Sequence, residues 1–179
     1  MRRHVTSDRV GRFMKALGRA VAHPSRVYFT GGTSAVLFGW RGSTVDIDLK
    51  LIPDSDDLLR ALPRLKEELD LNIEIASPAD FIPELPGWQE RSAFIQQEGA
   101  LTFLHYDFYA QALAKIERGY ERDLSDLREM FASELITPRR LLELFEAIEP
   151  SLYRYPAISA PAFRRAVAQA VEDEEARKK

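Results

Sequence analysis

The chain of 179 residues has no cysteine. That excludes disulfides, thiolate metal sites such as zinc ribbons, and cysteine nucleophiles, and it leaves the redox compartment unmarked. Histidine is scarce: His4, His23 and His105 are the three present, and His4 and His23, near a terminus and a turn, have no second ligand at metal spacing. His105 lies in an apolar strand pattern and reads as a partly buried, hydrogen-bonded residue. No apolar run approaches the ~18 residues that span a bilayer. The charged start, Met1-Arg2-Arg3-His4, is not followed by the apolar stretch of a secretory leader. A cytoplasmic protein with no membrane partner is expected. Neither Gly-x-Gly-x-x-Gly nor Gly-Lys-Ser/Thr occurs, so dinucleotide-binding and P-loop readings lack their motifs.

What is present is a globular composition, 45% apolar and 30% charged with a net charge of -3, suited to one domain or to a catalytic lobe with a helical extension. The charge is unevenly spread. Residues 1–28 carry Arg2, Arg3, Arg9, Arg12, Lys15, Arg19 and Arg26 against a single Asp8. Such a surface attracts polyanions, and it is equally what an ordinary solvated helix face looks like.

Apolar spacing from Val10 to Val21 predicts a helix that starts near Thr6 or Ser7 and stops at His23-Pro24. Arg26–Phe29 reads as a strand, Thr30-Gly31-Gly32 as a glycine turn, and Ala35–Phe38 as a short helix ended by Gly39. Val45–Leu51 alternates as a strand does. Pro53-Asp54-Ser55 then caps a helix through Leu69, which Pro63 is expected to kink or split. Leu71–Ile75 is a third strand. Three prolines make 77–88 a loop with one helical turn near 79–82. Ala93–Ile95 and Leu101–His105 are expected to pair as a hairpin across residues 96–100. From Asp107 the pattern is helical, with a break near Gly119, a helix capped by Thr137-Pro138, and a last one capped by Ser159 whose charged tail from Glu172 should fray. The expected fold is α/β (α+β): a small mixed sheet flanked by helices in residues 1–106, then a helical region in 107–179.

Asp46 and Asp48 leave the same face of a strand about 7 Å apart. Two carboxylates there repel, and on a strand of Val45, Ile47, Leu49 and Leu51 they call for a cation. Hard oxygen ligands suit Mg²⁺ or Mn²⁺. Gly31-Gly32 follows a strand and opens a helix, where N–H groups unobstructed by side chains make a phosphate seat. Thirteen residues separate Gly32 from Asp46, a gap that suits one short helix and a return to the sheet, so that phosphate seat and metal site would adjoin. Taken singly, an Asp-x-Asp is often a solvated acidic face and a Gly-Gly a tight turn.

Together, Phe29-Thr30-Gly31-Gly32 and Asp46-Ile47-Asp48-Leu49 resemble the signature of the DNA polymerase β-like nucleotidyltransferase superfamily: a hydrophobic residue, Gly-Gly or Gly-Ser, a gap, and an acidic pair flanked by hydrophobic residues. Within it the chain is most similar to the bacterial AbiEii and MenT-type nucleotidyltransferase toxins and their small relatives, in which an Arg and a Ser or Thr precede the acidic pair, as Arg41, Ser43 and Thr44 do here. Lys115, Arg118 and Arg122-Asp123-x-x-Asp126 resemble their second motif block. The resemblance covers residues 26–131.

It implies a nucleotidyltransferase fold and a metal-dependent transfer of a nucleoside monophosphate from a nucleoside triphosphate to a hydroxyl. Gly31, Gly32 and Thr33 would seat the phosphates, with Arg41 and Thr44 beside them. Asp46 and Asp48 would hold the metals, with Glu74 in Asn72-Ile73-Glu74-Ile75 as third carboxylate, although the family more often has Asp there. Lys115 would reach the triphosphate, with Arg118, Asp123 and Asp126 around it. The acceptor implied is RNA, the 3′ end of a tRNA, and a cognate antitoxin is a possible partner. Two alternatives remain open: protein adenylylation as by small antitoxin-like enzymes, whose Gly-Ser-x-Ala-Arg-Gly loop is absent here, and a non-catalytic nucleotide-binding module.

Overall fold

The computed structural model describes residues 4–178; Met1, Arg2, Arg3 and Lys179 lie outside it. In chain order the elements are α1 (Ser7–Ala20), β1 (Ser25–Thr30), α2 (Gly31–Phe38), β2 (Asp46–Ile52), α3 (Asp56–Glu68), β3 (Asn72–Ile75), α4 (Trp88–Arg91), β4 (Ala93–Glu98) and β5 (Leu101–His105). There follow α5 (Phe108–Arg118), α6 (Glu121–Ala132), α7 (Pro138–Ile148) and α8 (Ala160–Arg177), with 3-10 turns at Pro78–Asp80 and Glu149–Arg154. The chain divides into two compact units. One holds the described residues up to Ser77 together with Ser92–Tyr106; the other holds Pro78–Arg91 and the described residues from Asp107 on.

The first unit is built on a five-stranded mixed sheet of order β3-β2-β1-β5-β4. β1 is antiparallel to β2 and parallel to β5, β2 is parallel to β3, and β4 is antiparallel to β5. Alternation sorts the faces. Val27 and Phe29 of β1, Ile47, Leu49 and Leu51 of β2, and Leu101 and Phe103 of β5 are buried against Val10, Phe13, Met14 and Leu17 of α1 and Leu58, Leu62 and Leu65 of α3. Removing each such side chain from water contributes about 1.5–3 kcal/mol, and Phe29 lies between Phe13 and Phe103 at centroid distances of 6.3 and 5.6 Å. The opposite face carries the residues that alternate with these, among them Thr30, Asp46 and Asp48.

α1 meets the β4–β5 turn backbone to backbone. A Cβ on Gly18 would lie 2.6 Å from Cβ of Glu98 and 2.7 Å from its carbonyl oxygen, and one on Gly99, where φ is +58°, would lie 2.7 Å from the Gly18 carbonyl oxygen. At the N-terminal end of α3, Asp57 accepts from the backbone N–H groups of Ala22 (3.0 Å) and His23 (3.3 Å) and contacts His23 Nδ1 at 2.9 Å and the Ser55 hydroxyl. These donors hold its carboxyl well below the usual carboxylate range, the Ser55 bond contributing most.

In the second unit α5 packs on α6, α7 and α8, and Phe145 meets Phe163 edge to face at 4.9 Å. Asp107 caps α5 by accepting from the Tyr109 N–H, and the Arg91 fork donates to its other oxygen through Nε (3.1 Å) and Nη2 (2.7 Å). Among the described residues no helix is long and apolar enough to cross a membrane.

Several local expectations change. α2 begins at Gly31 rather than Ala35, because the glycines themselves form its first turn. Pro63 leaves α3 unbroken over Asp56–Glu68; it lies on the exposed side, where water can take the carbonyl it leaves unpaired. β4 continues to Glu98, so the turn is reduced to Gly99 and Ala100. The charged tail remains helical to Arg177, held by the buried Glu174, whose carboxylate pairs with Arg177 (3.3 Å) and Lys178 (3.7 Å).

Candidate active site

The turn from β1 into α2 is fastened to β2 residue by residue. Gly31 has a φ of +60°, a left-handed conformation natural to glycine, and a Cβ on it would lie 3.0 Å from Asp48 Oδ2. A Cβ on Gly32 would collide with the Thr44 hydroxyl and approach Arg41 Nη1 at 3.3 Å. Thr44 is held in turn by a backbone bridge to Val5, with N···O distances of 2.7 and 2.9 Å. Thr33 is fully buried and its hydroxyl donates to the Asp46 carbonyl oxygen at 3.4 Å, so any contact it makes with a phosphate comes from its main chain. The outcome is a helix N-terminus, with partial positive charge from N–H groups the helix cannot satisfy, set directly beside a carboxylate.

Asp46 and Asp48 are half-buried on the sheet face opposite Ile47 and Leu49. Across the sheet, Asp48 lies between Thr30 on β1 and Glu74 on β3, while Asn72 stands opposite Asp46. The Asn72 amide nitrogen donates to Asp46 Oδ1 and, at 3.4 Å, to Glu74 Oε1. Asn72 had no role in the motif reading. Its signal is its place two residues before Glu74, on the same face and beside the acidic pair. Among the described residues no three His, Asp or Glu side chains are gathered closely enough to hold a metal ion by themselves. Two carboxylates next to a helix N-terminus do fit Mg²⁺, which is commonly held by one or two carboxylates together with substrate phosphates rather than in an all-protein cage.

Behind α2, His105 is buried and its ring Nδ1 lies 2.9 Å from Ser34 Oγ, which donates to the Phe29 carbonyl oxygen at 3.3 Å. Burial lowers the His105 pKa to about 4, which keeps the ring uncharged at neutral pH. One face of Phe38 meets this imidazole at 4.7 Å, and Phe38 also stacks on Trp40 at 5.3 Å.

The second motif block forms its own cluster within the helical unit. Lys115 Nζ donates to Asp126 Oδ2 at 2.6 Å and Asp123 Oδ1 at 3.3 Å, and Arg118 Nη2 donates to that same Asp123 oxygen at 2.7 Å. Lys115, Asp123 and Asp126 are buried, with side chains 4%, 6% and 2% exposed. Asp123 Oδ2 is buried with no hydrogen-bond partner among the described residues. The spacings predicted from sequence, on two helices, are thus realised as an ion-paired group.

The N-terminal basic residues do not act alike. Arg2 and Arg3 lie outside the described residues. Arg9 is committed to main-chain oxygens, of His4 (2.9 Å), Leu69 (2.7 Å) and Asp70 (2.8 Å), at the C-terminal end of α3. Arg12, Lys15 and Arg19 remain as an exposed stripe along α1.

Comparison with curated proteins and with solved structures gives no match. A family model does match, over residues 10–172, and so takes in most of α1, the glycine turn, the acidic pair and both halves of the ion-paired cluster. The chain belongs to the family described as nucleotidyltransferase of unknown function (DUF6036).

Proposed function

We propose that this protein moves a nucleoside monophosphate from a nucleoside triphosphate to the hydroxyl of an RNA acceptor, by resemblance the 3′ end of a tRNA, and that it acts as a toxin of a toxin–antitoxin or phage-defence system. The observation that carries the catalytic part is the start of α2 resting against the Asp48 carboxylate, beside Asp46. In such a transfer the acceptor oxygen bonds to the α-phosphorus, the bond from that phosphorus to the bridging oxygen breaks, and pyrophosphate departs. A divalent cation, Mg²⁺ or Mn²⁺, supplies charge stabilisation for the attacking and leaving oxygens when bound. Asp46 and Asp48 hold it. The N–H groups at Gly31 and Gly32 bind phosphate oxygens, and Glu74 lies on the neighbouring strand to receive the acceptor's proton. Arg12, Lys15 and Arg19 suit an RNA backbone, whose affinity would fall with salt as counterions return.

The test is incubation with each labelled nucleoside triphosphate, Mg²⁺ and total RNA, with Asp48→Asn as control. Label on RNA that the control lacks supports the proposal. Label on a polypeptide indicates protein adenylylation, and nucleotide binding without label indicates a binding module; either result rejects RNA transfer.

A further inference from the structure

Resting on that nucleotidyltransferase reading, we propose that Asn72 is a positioning residue of the acidic face, holding Asp46 in the orientation in which it takes a divalent cation. Asp46, Asp48 and Glu74 bring three carboxylates onto two adjacent strands. Like charges at this spacing push one another toward solvent, and each aspartate has rotamers that would satisfy the repulsion and misplace the ligand oxygen. The Asn72 amide opposes this. Its two N–H groups serve two acids, Asp46 Oδ1 on β2 and Glu74 Oε1 on β3.

The chemistry fixes which end of the amide faces them. Turned over, the carbonyl oxygen of Asn72 would meet a carboxylate oxygen, acceptor against acceptor, so the nitrogen must point inward. With Oδ1 thus occupied, Asp46 has Oδ2 to offer a cation. A neutral donor suits the task, because a lysine or arginine here would neutralise the carboxylates and displace the very charge the cation needs. An aspartate would add a further negative charge to the face. Residues that hydrogen-bond to metal-ligating carboxylates commonly change metal affinity by about 10–100-fold when removed.

The measurement is paramagnetic broadening of the backbone amide NMR signals of β2 and β3 as Mn²⁺ alone is titrated into the full-length protein. In the parent these signals broaden, and in Asp48→Asn they do not. Asn72→Ala should need about tenfold more Mn²⁺ to reach half broadening, with a melting temperature equal to the parent's. Asn72→Val, whose β-branched side chain suits a strand, should shift the midpoint in the same direction even if the alanine variant folds poorly. Unchanged midpoints in both variants, alongside loss in Asp48→Asn, would overturn the role of Asn72 and leave the cation site standing. Tighter binding in either would also overturn it, since the amide would then be competing with the cation. No broadening in the parent, with Asp48→Asn indistinguishable from it, would remove the inference, and the metal-dependent reading would then stand or fall on the transfer assay with and without Mg²⁺.

Discussion

Asp46 and Asp48 on β2 and Asp123 and Asp126 on α6 share one chemistry and differ in surroundings. On the strand, Asp46 accepts from a neutral amide and both carboxylates are half-buried. On the helix, Asp123 and Asp126 are nearly sealed from water and accept from the Lys115 ammonium and, for Asp123, the Arg118 guanidinium. A buried carboxylate depends on its cation, because an ion left alone in a poor dielectric has nothing to replace its lost hydration. A half-exposed one keeps water and can trade it for a ligand. The spacing of acids in sequence does not separate these cases; burial and the charge on the donor do.

The sharpest way to break the contrast is Lys115→Ala, which removes the ammonium that Asp123 and Asp126 share, leaves Arg118 as the cation on Asp123, and should lower stability by ~3–5 kcal/mol, read by chemical denaturation. Replacing Asp126 with leucine in that background should recover part of the loss. A variant as stable as the parent would show the cluster to be solvated.

His105 extends the comparison to a group that stays neutral. Its folded pKa of about 4 lies below its unfolded value of 6.5, so between these the unfolded chain binds the extra proton. Stability is full above pH 6.5 and falls as the pH drops toward 4, by ~3 kcal/mol at most. Asp57 acts in a separate window: its carboxyl is depressed, so its contribution is present above the ordinary aspartate range and is lost only in stronger acid. Melting temperatures from pH 7 to 4 should therefore flatten in His105→Gln and keep their slope in Asp57→Asn.

Arg9 and Arg12 make the same comparison between cations. Arg9→Ala should cost about 1 kcal/mol through lost bonds to the Leu69 and Asp70 carbonyls, while Arg12→Ala should stay within ~0.5 kcal/mol and weaken RNA binding instead. Equal stability losses in thermal melts would contradict the division of labour along α1.

The smallest stability effect is expected at the acids of the strand. Asp46→Asn or Asp48→Asn should leave the metal-free melting temperature equal or higher, since like-charge repulsion is relieved, while transfer is abolished. A marked fall in melting temperature with transfer retained would make the pair structural.

How far these features were legible from sequence depends on how local their causes are. The strand, glycine turn and acidic strand announce themselves within about 20 residues, since alternation and left-handed glycine are properties of neighbours. Lys115, Asp123 and Asp126 were legible as helix-face residues, but their burial was not, because it arises from packing. Asn72 could not be assigned a role without the parallel register that puts it opposite Asp46. The polar edge of β4, Gln96 to Glu98, gives no apolar alternation to read, and the tail of α8 hides the burial of Glu174 behind a run of charges.

The meeting of Gly18 with the β4–β5 turn has a consequence for how the family can drift. The space beside Gly18 is filled by Cβ and the carbonyl of Glu98 and that beside Gly99 by the Gly18 carbonyl, so a methyl at either position cannot be accommodated by a rotamer change nearby; it would have to move a helix off a hairpin, at a cost of about 1–3 kcal/mol. In a library of all single substitutions selected only for folded protein, both positions should stand out as intolerant, Gly99 doubly so because of its positive φ. They should do so although neither is part of the proposed chemistry, so an intolerant glycine in this chain is not by itself a mark of the nucleotide site.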